Sequence, residues 1–390
     1  MYSQLLSKIK KVYIEDRLKE MVKIPSVIGQ EADLAEYLRE ILSNMGFRTQ
    51  LELVEAGRPN IIGVLENIRN APLIMFNGHI DTVSICDGWT KDPYLPFIDD
   101  NKLVGLGSWD MKSGIACSLA ALKALIEVEE PIGNLAFSGV VDEEGYSKGA
   151  RAVLNTELKK SDAIIIGEPY FGDNEDNRIP IGITGKVLYE VEVHGQAFHG
   201  FHPELGINAI DDASQIVASL DQLELTPHPQ FERGNVCTLK ITGGYENYEV
   251  TVPDRCSIII TRLMVPGETK EGVLAGMRHY IDSLNLRSKV DINIIPPFYN
   301  PYEISRDTPL MQCFSEAYQD IRGAPPIVGY RPGITDANVF MGEGQIPTIN
   351  FGPRGGQYHG ADEYVELDSL LDVAKIQTLT ALNLFSKLSC

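Results

Sequence analysis

Apolar positions along the chain alternate between helical spacing and short continuous runs. A helix-like stretch near Tyr13 to Val22 ends at the turn-forming Ile24-Pro25-Ser26. After it Leu34, Tyr37, Leu38, Ile41, Leu42 and Met45 recur at helical spacing, with Gly46 as the stop, so this helix lays one face on a core. Asn60 to Leu65 and Pro72 to Phe76 are short apolar runs bounded by turn residues, the pattern of buried strands. A helix is predicted from Ser113 to Val128, and further buried strands at Leu135 to Val141 and Ala163 to Ile166. Strands alternating with helices predict an α/β unit with a mainly parallel sheet.

From about Ile183 the pattern changes. Val187 to His194 alternates apolar and polar residues, Ile207 to Leu223 and Lys270 to Leu284 are helical, and Val236 to Thr242, Cys256 to Met264 and Val290 to Ile295 are strand-like. The order β-α-β-β-α-β is the signature of a ferredoxin-like fold. Beyond Pro296-Pro297 the first pattern returns, with a helix at Met311 to Ile321, strands at Ile327 to Tyr330 and Pro347 to Phe351, and a closing helix at Leu367 to Leu388. The expected organisation is a discontinuous domain, 1–182 with 296–390, carrying an inserted domain, 183–295, with hinges near Gly182 and Pro296.

A length of 390 residues agrees with two domains, and a 44% hydrophobic, 23% charged composition is ordinary for a globular protein. The formal charge of −20 argues against nucleic acid as a partner, since phosphate binding rests on clustered Lys and Arg. No apolar run approaches membrane-spanning length and no leader pattern opens the sequence, so no membrane partner is expected and the expected compartment is the cytoplasm. The six cysteines lack metal-site or redox spacing and read as reduced packing residues.

Candidate chemistry gathers at the ends of the predicted strands. His79 and Asp81 lie in GHIDTV, Asp110 in GLGSWDMKSG, Glu143 and Glu144 in VDEEG, Glu168 in IGEP and His359 in the loop after the last strand. In open α/β sheets the ligand crevice lies outside the carboxyl ends of the strands, and all of these fall there. Two imidazoles and several carboxylates form an N/O donor set for two divalent metals of the kind zinc accepts, and such metals make a strong nucleophile of water at neutral pH.

Together GHIDTV, GLGSWDMKSGIA, VDEEG, IGEP, GQAFHGFHPELGINAI, GITDA and FGP…H…DEYVEL resemble, in order and spacing, the M20 metallopeptidase family, which includes acetylornithine deacetylase, succinyl-diaminopimelate desuccinylase, aminoacylase and carboxypeptidase G-type enzymes. The resemblance implies a zinc-exopeptidase-like catalytic domain with a ferredoxin-like lid and dimerisation domain. It implies that His79 and Glu168 bind one zinc ion, that His359 and Glu144 bind the other, and that Asp110 bridges them, with cobalt or manganese able to replace zinc. It further implies that Asp81 orients the His79 ring, that Glu143 is the general base and that His199 of the lid stabilises the oxyanion, often across a dimer.

Where the family has Asn shortly before the lid proline, this chain has Val250, with Asn247 as the nearby substitute, and the family's Asp-x-Arg reads Ile260-Thr261-Arg262. Candidate substrate contacts are therefore Arg262, Arg331, Asn247 and Gly333, with Arg354 as a further arginine. A guanidinium suits a substrate carboxylate because it forms two parallel hydrogen bonds. The expected activity is hydrolysis of the amide bond of a small N-acyl amino acid. The alternatives are a dipeptidase or glutamate-type carboxypeptidase of the same family and a catalytically silent homologue. A homodimer through the inserted domain is expected, because its sheet leaves an open edge.

Overall fold

A computed structural model describes residues 2–128, 133–171, 178–231 and 234–389. The chain divides into two compact units, Met1–Ile181 with Ile304–Tyr330 and Thr335–Cys390, and Gly182–Glu303 with Arg331–Ile334.

The first unit is built on a six-stranded sheet in the order Arg48–Glu55, Arg58–Leu65, Asn134–Val140, Leu73–His79, Ala163–Ile166, Thr348–Asn350. The last four strands run parallel, and Arg58–Leu65 joins them antiparallel. Every residue of Asn134–Val140 and of Ala163–Ile166 is buried, as expected of parallel strands covered on both faces. Helices Lys112–Ile126 and Leu367–Leu388 are apolar around most of their circumference and pack on each other, which places them inside the unit. The α/β expectation therefore holds, with a mainly parallel sheet.

Two features of this unit lacked a sequence signal. Arg48–Glu55 is exposed or half-buried along its length, so no apolar alternation announces it, and pairing with Arg58–Leu65 defines it instead. A small sheet of Phe97–Asp99, Lys102–Val104, Tyr364–Glu366 and Gly355–Gly356 is made of strands of two or three residues, too short for any periodicity.

The second unit is a four-stranded antiparallel sheet in the order Val236–Gly243, Arg255–Met264, Gly185–His194, Lys289–Tyr299. Its core joins alternate residues of Gly185–His194 (Val187, Tyr189, Val191, Val193) to Ala213 and Ile216 of helix Ala209–Ala218 and to Val273 and Met277 of helix Lys270–Ser283. This is the ferredoxin-like arrangement. Pro296-Pro297 is not the joint expected from its composition. The two prolines lie inside Lys289–Tyr299, an edge strand whose pairing becomes irregular between Ile295 and Tyr299, where missing N–H donors are tolerated. Among the described cysteines none forms a disulfide, but Cys86 and Cys237 are exposed rather than packed. Among the described residues no helix is long and apolar enough to cross a membrane.

Close backbone approach fixes the strand end that carries Glu168. A Cβ on Gly114 of helix Lys112–Ile126 would lie 1.9 Å from the Gly167 carbonyl oxygen, and one on Gly352 would lie 2.2 Å from the same atom. Gly114→Ala is therefore expected to lower stability by at least about 1–3 kcal/mol through overpacking. Thermal unfolding of the variant checks this, and an unchanged midpoint would refute the close fit.

Candidate metal centre

The sheet delivers its chemistry at its carboxyl edge. His79 is the last residue of Leu73–His79, the Asp142-Glu143-Glu144 turn follows Asn134–Val140, and Glu168 follows Ala163–Ile166 by one glycine. Asp110 sits just ahead of helix Lys112–Ile126 and is joined to Met111 by a cis peptide. His359 comes from the loop between Gly355–Gly356 and Tyr364–Glu366, with φ at +55°.

Asp110 is the meeting point. Its Oδ1 lies 3.0 Å from His79 Nε2 and its Oδ2 lies 3.2 Å from His359 Nε2, so each carboxylate oxygen faces a different imidazole. His359 Nε2 is also 3.1 Å from Glu144 Oε1. One ligand atom each from His79, Asp110 and Glu144 lie within 4.8 Å of one another. The ring of Tyr358 stacks on the His359 imidazole at 4.2 Å and 14°, limiting its rotation.

The ring nitrogens differ in role. His79 Nδ1 donates to the backbone carbonyl of Asp81 at 2.9 Å, which leaves Nε2 facing the carboxylates. The expected contact with the Asp81 carboxylate is absent as a hydrogen bond, because Oδ1 lies 3.8 Å away. That carboxylate instead accepts the backbone N–H groups of Glu143 (3.3 Å) and Glu144 (3.1 Å). Asp81 thus serves the centre twice, through its carbonyl on the ring and through its side chain on the glutamate turn.

A second anchor holds the same turn. Asp142, at φ +72°, accepts the N–H groups of Tyr146 and Lys148 and a 3.0 Å bond from Arg58. Arg58 in turn grips the fully buried Glu31 at 2.6 Å. Removing one partner from such a buried pair costs about 3–5 kcal/mol, so the turn has little freedom to shift.

Buried acids dominate the electrostatics. Burial pushes the Glu168 carboxyl up to about 8, with Asp110, Glu144 and Asp336 adding to the shift against His79. It pushes Asp81 to about 7, and it raises Glu143 with help from Glu168. Burial also opposes charge on Asp110 and His79, but hydrogen bonds win: those from His359 and His79 lower the acid, and the bond to Asp110 raises His79. Hydrogen bonds to Asp110 and Glu144 lift His359 to about 10. Oε1 of Glu168 is buried without a hydrogen-bond partner, and Oε1 of Glu144 faces the His359 ring nitrogen. Buried carboxylate oxygens and two imidazole nitrogens make a donor set that fits divalent cations, which would replace the protons now shared with Asp110.

Sequence reasoning overlooked three residues. Asp336, in GITDA, is 1% exposed, and burial takes it to about 6. Lys112 is also buried, and its Nζ donates to the carbonyls of Met21 and Ile24. Glu363 accepts three backbone N–H groups from the Asp110 loop. Charged residues in loops look solvated in a sequence, and only their place within quoted motifs marked Asp336 and Glu363.

The remaining candidates do not join this cluster within the first unit. Arg354 is committed to Glu366 and Asp368 at 3.0 and 3.1 Å. His199, Asn247, Arg262, Arg331 and Gly333 belong to the second unit. There His199 Nδ1 accepts the N–H of Phe201, Asn247 is exposed, and Gly333 bonds Thr184 through both N–H and C=O. Arg331 ends strand Val328–Arg331 half-buried. Arg262 commits one guanidinium nitrogen, Nη2, to an acid. It shares the inward parity of Ile258, Ile260 and Met264, is 4% exposed, and pairs with Glu268 at 2.6 Å.

The raised acids predict how metal-free protein responds to pH. Asp81 and Glu168 hold protons in the folded state that the unfolded chain releases at its ordinary values of 3.8 and 4.5. Stability of chelator-treated protein is therefore expected to fall as pH rises from about 4.5 towards 7, and zinc is expected to remove the decline. Thermal melts at about pH 5 and pH 7 with and without metal test this. Metal-free protein that is more stable at the higher pH would contradict it.

Residues 75–383 match the model of peptidase family M20/M25/M40. The chain is 26% identical to a succinyl-diaminopimelate desuccinylase of Nitratiruptor sp. over 353 residues, covering 89% of this chain and 93% of that protein. It is 28% identical to one of Methylorubrum populi over 378 residues, covering 93% and 94%. Among solved structures it superposes on aminopeptidase PepT of Bacillus cereus with a TM-score of 0.77 at 21% identity, covering 97% of this chain and 99% of that one. The YXEP protein of Bacillus subtilis, described as a dinuclear metal binding peptidase, gives 0.72 at 17% identity, with 95% and 97% covered. With its motifs in place along a matched span of this length, the chain belongs to the M20 peptidase family and is a metal-dependent hydrolase of amide bonds.

Proposed function

We propose that the protein removes the acyl group from a small N-acyl amino acid at a site holding two divalent metal ions, zinc by preference, with cobalt or manganese as substitutes. The observation that carries this reading is Asp110 presenting one oxygen to His79 and the other to His359. His79 and Glu168 would hold one ion and His359 and Glu144 the other. When bound, such ions supply Lewis acidity towards a carbonyl and towards water. The desuccinylase names of the relatives support an N-succinyl or similar acyl group.

Glu143 is the proposed proton carrier. Its raised proton affinity, set first by burial and then by Glu168, suits a base that takes the proton of the attacking water and passes it to the departing amine. Asp81 orients this residue by holding its backbone N–H. His199 of the lid is the proposed donor to the tetrahedral oxyanion, from its own subunit or a partner's. The exposed edge strand Val236–Gly243, with Leu239 and Ile241 open to solvent, supports a homodimer through the lid. The cytoplasm is the compartment we expect. The family's description as peptidases favours a second reading, an exopeptidase acting on dipeptides.

Purified protein is expected to bind about two zinc ions per chain, as the paired imidazoles on Asp110 require. Glu143→Gln is expected to keep both while kcat falls by about 10²–10⁴-fold, the usual contribution of a general base. Wild-type turnover in this variant would assign the base elsewhere. A panel of N-succinyl, N-acetyl and N-formyl amino acids beside simple dipeptides separates the two readings. Preference for dipeptides would replace the deacylase with the exopeptidase.

A further inference from the structure

Glu363 follows His359 by four residues and is 2% exposed. Its Oε1 accepts the backbone N–H groups of Trp109 and Asp110, both at 2.8 Å, and its Oε2 accepts that of Gly107 at 2.7 Å. The N–H of Gly105 and the hydroxyl of Ser108 donate to its main-chain carbonyl at 3.0 and 3.2 Å. Bonds from N–H groups to an ionised carboxylate are the strong kind, and three on one side chain leave the loop 107–110 little freedom.

The loop so held ends at Asp110, whose two oxygens face the two imidazoles. One short segment therefore acts on Asp110 from both sides. His359 meets its carboxylate, and Glu363 grips its main chain. A further negative charge beside Asp110 is costly in a buried site. The charge is useful where cations offset it and where the position of Asp110 must be exact to fractions of an ångström.

We propose that Glu363 is a positioning residue of the metal centre, clamping the Asp110 loop so that the two carboxylate oxygens stay opposite His79 and His359 at the spacing two cations need. This inference rests on the metal-dependent reading of the site. It assigns Glu363 no contact with substrate or metal.

The test compares wild type, Glu363→Gln and Glu363→Asp. Metal-free protein is titrated with zinc and cobalt against a chelator, the visible spectrum of the cobalt form is recorded, and thermal unfolding is measured without metal. Glu363→Gln is expected to unfold near the wild-type temperature when metal-free, yet to bind the weaker-held cation about 10–100-fold less tightly, the usual effect of losing such a support. Its cobalt spectrum should change, and kcat should fall with little change in KM. If Glu363→Gln does not fold, Glu363→Asp keeps the charge on a shorter arm, and it should fold with weakened affinity. Either variant folded, with wild-type affinity and spectrum, overturns the proposal. So does a loss of affinity matched by an equal loss of metal-free stability, which would mark Glu363 as a strut of the fold. Wild-type protein that takes up no metal fails the metal reading itself and this inference with it, whereas a loaded wild type with unaffected variants fails this inference alone.

Discussion

Burying carboxylates side by side is the constraint on which the catalytic unit depends. Asp81, Asp110, Glu168, Asp336 and Glu363 are nearly inaccessible to water, and the side chain of Glu144 is 7% exposed beside them. A buried charge must be paired or well hydrogen-bonded. The structure meets this need unevenly. Asp81 and Glu363 are held by backbone N–H groups, Asp142 by N–H groups and Arg58, and Asp110 by two imidazoles. Acids satisfied by the backbone shape the walls, whereas Glu144 faces the His359 ring and Oε1 of Glu168 has no hydrogen-bond partner. That division separates the groups that build the site from those left to do its chemistry.

Glycine and backbone strain serve the same end. The contacts of Gly114, Gly167 and Gly352 bring a helix start and two strand ends closer than side chains allow, so Glu168 arrives at a fixed depth. Positive φ angles at Asp142, His359 and Asp362 place non-glycine residues in the left-handed region around the crevice. Such conformations persist only where surrounding bonds enforce them, as Arg58 and the N–H groups of Tyr146 and Lys148 do for Asp142.

Much of this was legible before any coordinates. Continuous apolar runs such as Leu135 to Val141 and Ala163 to Ile166 announced the parallel strands, and placing His79, Glu143, Glu144 and Glu168 just after such runs implied one crevice. The alternation of Val187 to His194 and its successors disclosed the ferredoxin-like insert. Illegible features were those decided by pairing rather than pattern. Arg48–Glu55 has no buried face, and Pro296-Pro297 looked like a linker because a sequence does not reveal which edge of a sheet lacks a neighbour. Strand parity, which residue type does not reveal, sets Arg262 on the buried face of its strand. At Asp81 the carbonyl, rather than the expected carboxylate, meets the His79 ring, a choice of atom that a sequence does not show.

The contacts around Asp110 also have a temporal side. Its partner His359 lies 249 residues further along the chain, beyond the whole inserted unit. As synthesis proceeds, His79, Asp110, Glu144 and Glu168 are all made long before the second imidazole and the Glu363 clamp. On the proposed ligand set, a nascent chain carries the acid cluster without its second imidazole, and the centre assembles only after translation has passed the His359 loop. On that reading, order of manufacture keeps the proposed site incomplete while its own polypeptide is still being made.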